Sequence, residues 1–233
     1  MKALALSIPS CPLTHFECSH FAIGAHPGCL FPQKGQLKRF ALHETVFRQG
    51  AGCRGIWRVR DGLLALRRHH PDGRRSVVRV VRPGEIFGWS DAFMTETHRW
   101  EGWTLTASSL WYMPASDWAS YHPGDAHDHI LALAFSESQQ LEKAVLRLSA
   151  LKAEDRLLAF LLSLADGLDT FPVVVRTPLR RGDIADAVAI TPESCSRILH
   201  RLEEQGLVTW RRTHTAVIDE RAVARVAEVM ELY

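Results

Sequence analysis

Glu193, Ser196 and Arg197 stand three and four residues apart in the stretch TPESCSRILHRLEEQG, Thr191 to Gly206. At helical spacing they share one face, with His200 a turn further on. Their chemistry is hydrogen bonding to flat polar edges. An arginine fork donates two bonds to guanine O6 and N7, a glutamate accepts from the amino group of cytosine or adenine, and a serine hydroxyl reaches a base or a phosphate. Cys195, Ile198, Leu199 and Leu202 take the opposite face. The helix therefore has an apolar side that holds it down and a polar side that it presents.

The elements around this helix must hold it out. Thr191 is a good N-cap, Pro192 suits the first helical position, and Gly206 follows the last turn. A shorter helix, Arg181 to Ala189, precedes it and is apolar at Ile184, Ala185 and Val188. LVTWRRTHTAVID reads as two strands joined at Arg211 to His214, and a last helix runs from Glu220 to Leu232. Two short helices, a tight turn and a hairpin make a winged helix-turn-helix, whose second helix enters the major groove of double-stranded DNA.

Charge placement agrees with that geometry better than charge total does. From Val173 to Tyr233 there are nine Arg and nine Asp or Glu, so the segment is formally neutral. Arg180, Arg181, Arg197, Arg201, Arg211 and Arg212 nevertheless fall at helix starts and at the tip of the wing, whereas Glu203, Glu204, Glu228 and Glu231 gather elsewhere. Arg180, Arg181, Thr191, His200, Arg201, Arg211 and Arg212 are the candidate phosphate contacts.

Further back the pattern changes twice. From about Leu37 to Met113 short apolar runs are divided by turns at Asp61-Gly62, Asp72-Gly73 and Pro83-Gly84, which points to an antiparallel roll. WTLTASSLWYMP is a strand pair or one long strand. After Pro123 helical periodicity runs for about forty residues, softened only near Ser149 to Lys152. Leu133, Gln140, Ala144 and Leu148 line one side, with Leu131, Phe135, Leu141 and Val145 nearby. Apolar coverage that wide suits packing on the helix's own domain and on a second copy of itself. The expected fold is α+β: an N-terminal extension over 1–36, a β-roll over 37–123, a dimerisation helix over 124–150 and a winged helix-turn-helix over 151–233.

Other classes find little support. The sequence has no G-x-G-x-x-G and no H-E-x-x-H, and the His127-Asp128-His129 trio opens a helix without a nearby partner. An enzyme is not expected. No apolar run reaches membrane-spanning length and no secretory leader is evident, so the expected location is cytoplasmic. Five cysteines fit a reduced compartment better than a disulfide framework.

GIWRVRDGLLALRRHHPDGRRSVVRVVRPGEIFG and LRRGDIADAVAITPESCSRILHRLEEQGLVTW together resemble the cyclic-AMP receptor and fumarate-nitrate-reductase regulator superfamily of bacterial transcription factors. The resemblance covers nearly the whole chain from Phe40 onward. It implies a β-roll sensor, a long dimerisation helix and a C-terminal winged helix, in a homodimer that also contacts RNA polymerase. Glu193, Ser196 and Arg197 match the E-x-x-S-R pattern of the fumarate-nitrate branch, which implies TTGAT-like half-sites in an inverted repeat. The competing class is a ligand- or metal-binding homodimer that does not use its helix-turn-helix for specific DNA recognition. The intact Glu193, Ser196 and Arg197 argue against it.

The signal is less legible. Cyclic-nucleotide members hold ribose and phosphate with a Glu and an Arg-Ser pair. Here Trp89 stands where that glutamate is expected, and Arg99 is followed by Trp100 and Glu101, which argues against cyclic AMP. Trp89, Arg99, Trp100 and Trp103 are the residues of a candidate effector pocket, or equally the filling of a roll without a ligand. Cys11, Cys18 and Cys29, spaced C-x6-C-x10-C, and Cys53 in the roll resemble a 4Fe-4S ligand set without its tight pair. Zinc held by Cys11, Cys18, Cys29 and one of His15, His20 or His26, a haem, and free thiols are the other readings.

Overall fold

Glycine-marked corners and short apolar runs build the first part of the chain. The computed structural model describes residues 31, 34–73, 75–121, 126–165, 171–177, 179–212 and 215–227. They fall into two units. One takes the chain up to Leu66 together with Val80–Phe135; the other takes Arg67–Arg79 together with the chain from Ser136 onward.

Strands β1 (Gln36–Phe40), β2 (Thr45–Phe47), β3 (Gly55–Asp61), β4 (Leu64–His69), β5 (Arg75–Val81), β6 (Ile86–Phe87), β7 (Glu101–Thr104) and β8 (Ser108–Pro114) form two four-stranded sheets. Their orders are β1-β8-β3-β6 and β2-β7-β4-β5. The β1–β8, β3–β8, β3–β6 and β2–β7 pairs are antiparallel. WTLTASSLWYMP thus supplies two strands that go to different sheets. Gly62 turns β3 into β4 at φ +88°, with its α-carbon so close to the Ala107 carbonyl that a β-carbon would lie 2.6 Å from it. No other residue type fits that corner.

Strand β3 is buried from Gly55 to Val59. Its period of two sends Ile56 into a cluster with Phe31, Ile86, Trp89, Met113, Trp118 and Leu133. Trp57 and Val59 join Leu64, Leu66, Val81, Phe87 and Leu110 in a second cluster. Two short helices, α1 (Trp89–Met94) and α2 (Ala115–Tyr121), are additions to the expected strands. At six and seven residues they are too short to show a period.

Helix α3 (Ala126–Ala150) is one 25-residue element. It stops at Leu151-Lys152, and α4 (Ala153–Leu162) follows. Leu133 is buried on α3, while Leu131, Phe135, Leu141, Val145 and Leu148 are each more than half exposed.

In the second unit β9 (Val173–Arg176), α5 (Arg181–Ala187), α6 (Pro192–Glu204), β10 (Val208–Arg212), β11 (Thr215–Ile218) and α7 (Glu220–Val226) complete the chain. Residues 228–233, where the last helix is expected to continue, lie outside the described residues. The sheet order is β10-β11-β9, with β9 antiparallel to β11. Val173–Arg176 is thus a third strand beside the expected hairpin. The α5–α6 corner closes with Ile190 N donating to Ala185 O at 3.0 Å and Ala189 at φ +55°. That geometry is a Schellman stop with alanine in the position that favours glycine.

Candidate nucleic-acid interface

Helix α6 is fastened by one face and capped at its start. Cys195, Ile198, Leu199 and Leu202 are buried. Burial pushes the Cys195 thiol up to about 11, so it is a neutral core group. Glu193, Arg197 and His200 are exposed on the other face, and Ser196 is half-buried. Thr191 caps the helix by accepting from Ser194 N at 3.2 Å.

The same corner orients the exposed arginine. Thr191 Oγ1 donates to Ser194 Oγ at 3.1 Å, and Arg197 Nη2 donates to that hydroxyl at 3.0 Å. Glu193 is held below the ordinary carboxylate range by its own helix-terminal N–H, with the Arg197 charge adding to it. An ionised acceptor and a directed guanidinium donor therefore stand at the start of an exposed helix face. His200 Nε2 lies 3.3 Å from Glu204 Oε1.

The remaining cations divide. Arg180 and Arg181 are exposed at the start of α5, where Arg180 N donates to Asp183 Oδ2 at 3.3 Å. Arg211 is exposed on β10, which Arg212 ends. Arg201 instead turns back to the protein, with Nη1 3.4 Å from Glu154 Oε2 on α4. Glu154 also accepts from Arg225 Nη1 at 3.0 Å, and Asp155 takes Arg225 Nη2 at 2.8 Å.

In the roll the four candidate pocket residues have different surroundings, with the Arg99 guanidinium 5.7 Å from the centre of the Trp100 ring. Trp89 is buried in the Ile56 cluster, Trp100 packs against the Trp57 cluster, and Trp103 stacks on His43 with centroids 6.0 Å apart. Arg99 is committed to Asp91, through Nε at 2.6 Å and its own backbone N at 3.1 Å, and to Ser90 Oγ at 2.8 Å. Burial raises the Asp91 pKa, but His98 and the Arg99 bonds outweigh it and hold the carboxyl below its usual range.

Of the four candidate cluster ligands, Cys11, Cys18 and Cys29 lie outside the described residues. Cys53 is buried, its thiol 3.5 Å from Gly55 O and 3.6 Å from Gly88 O, and burial pushes it above its ordinary pKa. A cluster ligand must be a thiolate. Cys53 as placed faces two carbonyl oxygens, which suit a thiol and repel a thiolate, so its surroundings do not fit that group. Among the described residues no group of three or more His, Cys, Asp or Glu is placed to hold a metal, and no helix is long and apolar enough to cross a membrane.

Comparison with known proteins agrees with this geometry in both halves. Residues 37–122 match the cyclic nucleotide-binding domain, and residues 155–226 match the Crp-like helix-turn-helix domain. The chain is 30% identical over 199 residues to the transcriptional regulator LdrP of Thermus thermophilus, covering 82% of this chain and 96% of that one. It belongs to the Crp/Fnr family of DNA-binding transcriptional regulators.

A second Crp/Fnr relative, the nitrogen fixation regulation protein FixK of Bradyrhizobium diazoefficiens, is 26% identical over 234 residues, with 93% and 95% of the two chains covered. A crystal structure of a CRP-family transcriptional regulator from Thermus thermophilus superposes with a TM-score of 0.69 at 26% identity, over 82% of this chain and 96% of that one. The α+β fold of this Crp/Fnr chain, with its β-sheet first unit and helix-turn-helix second unit, is that of the family.

Three residues of the site had no place in the sequence reading. Ser194 carried a local signal, since it lies three residues after the N-cap and three before Arg197. Glu154 and Asp91 carried none, because their importance lies in partners brought by the fold.

Proposed function

We propose that this Crp/Fnr regulator works as a homodimer that reads an inverted repeat of TTGAT-like half-sites. Glu193, Ser196 and Arg197 lie against base edges in this reading, and Arg180, Arg181, Thr191, His200, Arg211 and Arg212 against the backbone. The observation that carries it is the exposed face of α6, where Glu193 is ionised and Arg197 is directed by Ser194. Guanine O6 and N7 match the arginine fork, and an amino-bearing base matches the carboxylate.

The dimer is supported by α3. Five large apolar side chains more than half exposed on one helix need cover, and a second copy of the same helix supplies it. A two-fold dimer presents its two reading helices to half-sites about 34 Å apart, one turn of DNA.

A signal at the β-roll or the N-terminal segment controls binding. Cyclic AMP is not the proposed signal, because Arg99 is already bound by Asp91 and Ser90. Anaerobic purification, with a visible spectrum and iron, zinc and haem content, assigns the class of signal.

Selection of binding sites from a randomised duplex pool tests the DNA reading. Recovery of inverted repeats with TTGAT-like arms is the expected result. Recovery of unrelated sequences, or of single arms with no symmetry, would overturn it.

A further inference from the structure

Glu154 lies in the first turn of α4, immediately after the break that ends α3. Its carboxylate is only 16% exposed and takes two cations from two different helices, Arg201 of α6 at 3.4 Å and Arg225 of α7 at 3.0 Å. Asp155 beside it doubles the grip on Arg225. The next residue, Arg156, donates through Nε to Val188 O at the end of α5 at 3.0 Å, and through Nη1 to Leu151 O at 2.9 Å. Three consecutive residues thus fasten α5, α6 and α7 to one helical turn.

Isolated surface ion pairs contribute little. A mostly buried carboxylate shared by two arginines is a network, and loss of its charge takes the carboxylate from Arg201 while Arg225 keeps Asp155. Arg201 stands one turn beyond Arg197 on the same helix. Whatever fixes Arg201 against α4 fixes the tilt at which Arg197 is presented.

We infer that Glu154 is a positioning residue for DNA reading, acting through Arg201, and that Arg201 is a bracket between α6 and α4 in place of a phosphate contact. The inference rests on the base-reading role of α6 proposed above. It carries an unusual sign. Glu154→Gln removes a negative charge from a DNA-binding unit, which by long-range electrostatics alone strengthens binding to every duplex. Positioning requires the opposite for the specific site.

The test compares the full-length wild type, Glu154→Gln, Arg201→Ala and the double variant on a palindromic duplex with TTGAT arms and on a scrambled duplex, across a salt series. Glu154→Gln is expected to bind the palindrome about tenfold more weakly. Affinity for the scrambled duplex should not fall, and the salt slope should match the wild type. Arg201→Ala should lose the preference for the palindrome over the scrambled duplex to the same degree, with the double variant no worse in that preference than either single one.

Undiminished palindrome binding by Glu154→Gln would overturn the inference. So would a salt slope reduced by about one contact in Arg201→Ala, since that marks a phosphate partner. Retained binding to the scrambled duplex shows that the variants are folded. A wild type with no preference for the palindrome counts against the proposed function, not against the bracket. Amide exchange without DNA then decides the bracket: faster exchange from Ile198 to Leu202 in Glu154→Gln upholds it, and unchanged exchange overturns it.

Discussion

Arg197 Nη2 donates to Ser194 Oγ at 3.0 Å, one turn back along α6. The hydroxyl that receives it is itself held by Thr191 Oγ1 at 3.1 Å. A guanidinium held before DNA arrives loses less rotamer freedom when it binds. Ser194→Ala should therefore reduce discrimination at the G·C pair of the half-site by about 0.5–1 kcal/mol, while Ser194→Thr should keep it. Fluorescence anisotropy on matched and mismatched duplexes measures both, and equal behaviour of the Ala and Thr variants would argue against the hydroxyl.

Much of this corner was legible in the sequence, and the reasons are local. Thr191, Pro192 and Gly206 mark the ends of α6, and the apolar set from Cys195 to Leu202 repeats at helical spacing, so helix and faces follow from neighbours in the chain. The Asp-Gly and Pro-Gly corners of the roll were legible for the same reason, since Gly62, Gly73 and Gly84 all have positive φ. Long-range partnership was not legible. Glu154 reaches Arg201 and Arg225 across 47 and 71 residues, and no local pattern announces either. Nor was the pairing of β9 with β11 legible, because it is set by the wing and not by the four residues of β9.

Ala189 turns the chain from α5 into α6 at φ +55°. A β-carbon in that region costs roughly 1–2 kcal/mol, and glycine avoids the cost. Glycine also gives back some of that gain through its freer unfolded chain. Ala189→Gly should stabilise the DNA-binding unit by a few tenths to about 1 kcal/mol. Amide exchange across α5 and α6 checks this, and faster exchange in the variant would contradict it.

Asp91 ties α1 to Arg99 in the roll, with its side chain 5% exposed. Its folded pKa lies below the ordinary 3.8, because the His98 and Arg99 interactions outweigh burial. The stabilisation is therefore complete above that ordinary value and is lost as pH falls through the lower, folded one. Asp91→Ala should cost about 2–4 kcal/mol at neutral pH. The gap between wild type and variant should begin to narrow below about pH 4. A gap that stays constant from neutral pH down to about pH 3 would show that the carboxylate charge is not its source.

Leu141 and Val145 lie a turn apart on α3 and are 67% and 57% exposed. Replacing both with Glu puts like charges into the proposed helix pair, where they face their own copies across the two-fold axis. Sedimentation should show a monomer. Affinity for the palindrome should fall by about two or more orders of magnitude, the avidity lost when two half-sites are no longer bound together. A dimer that survives both changes would place the interface elsewhere.

The central claim, base reading by Arg197, is tested most directly by one thermodynamic cycle. Wild type and Arg197→Ala are each titrated with the TTGAT palindrome and with the same duplex carrying A·T for the half-site G·C pair. The wild type should lose about 1–3 kcal/mol per half-site on the altered duplex. Arg197→Ala should bind the two duplexes almost equally. A variant that still prefers the G·C duplex by the full wild-type margin would contradict the account.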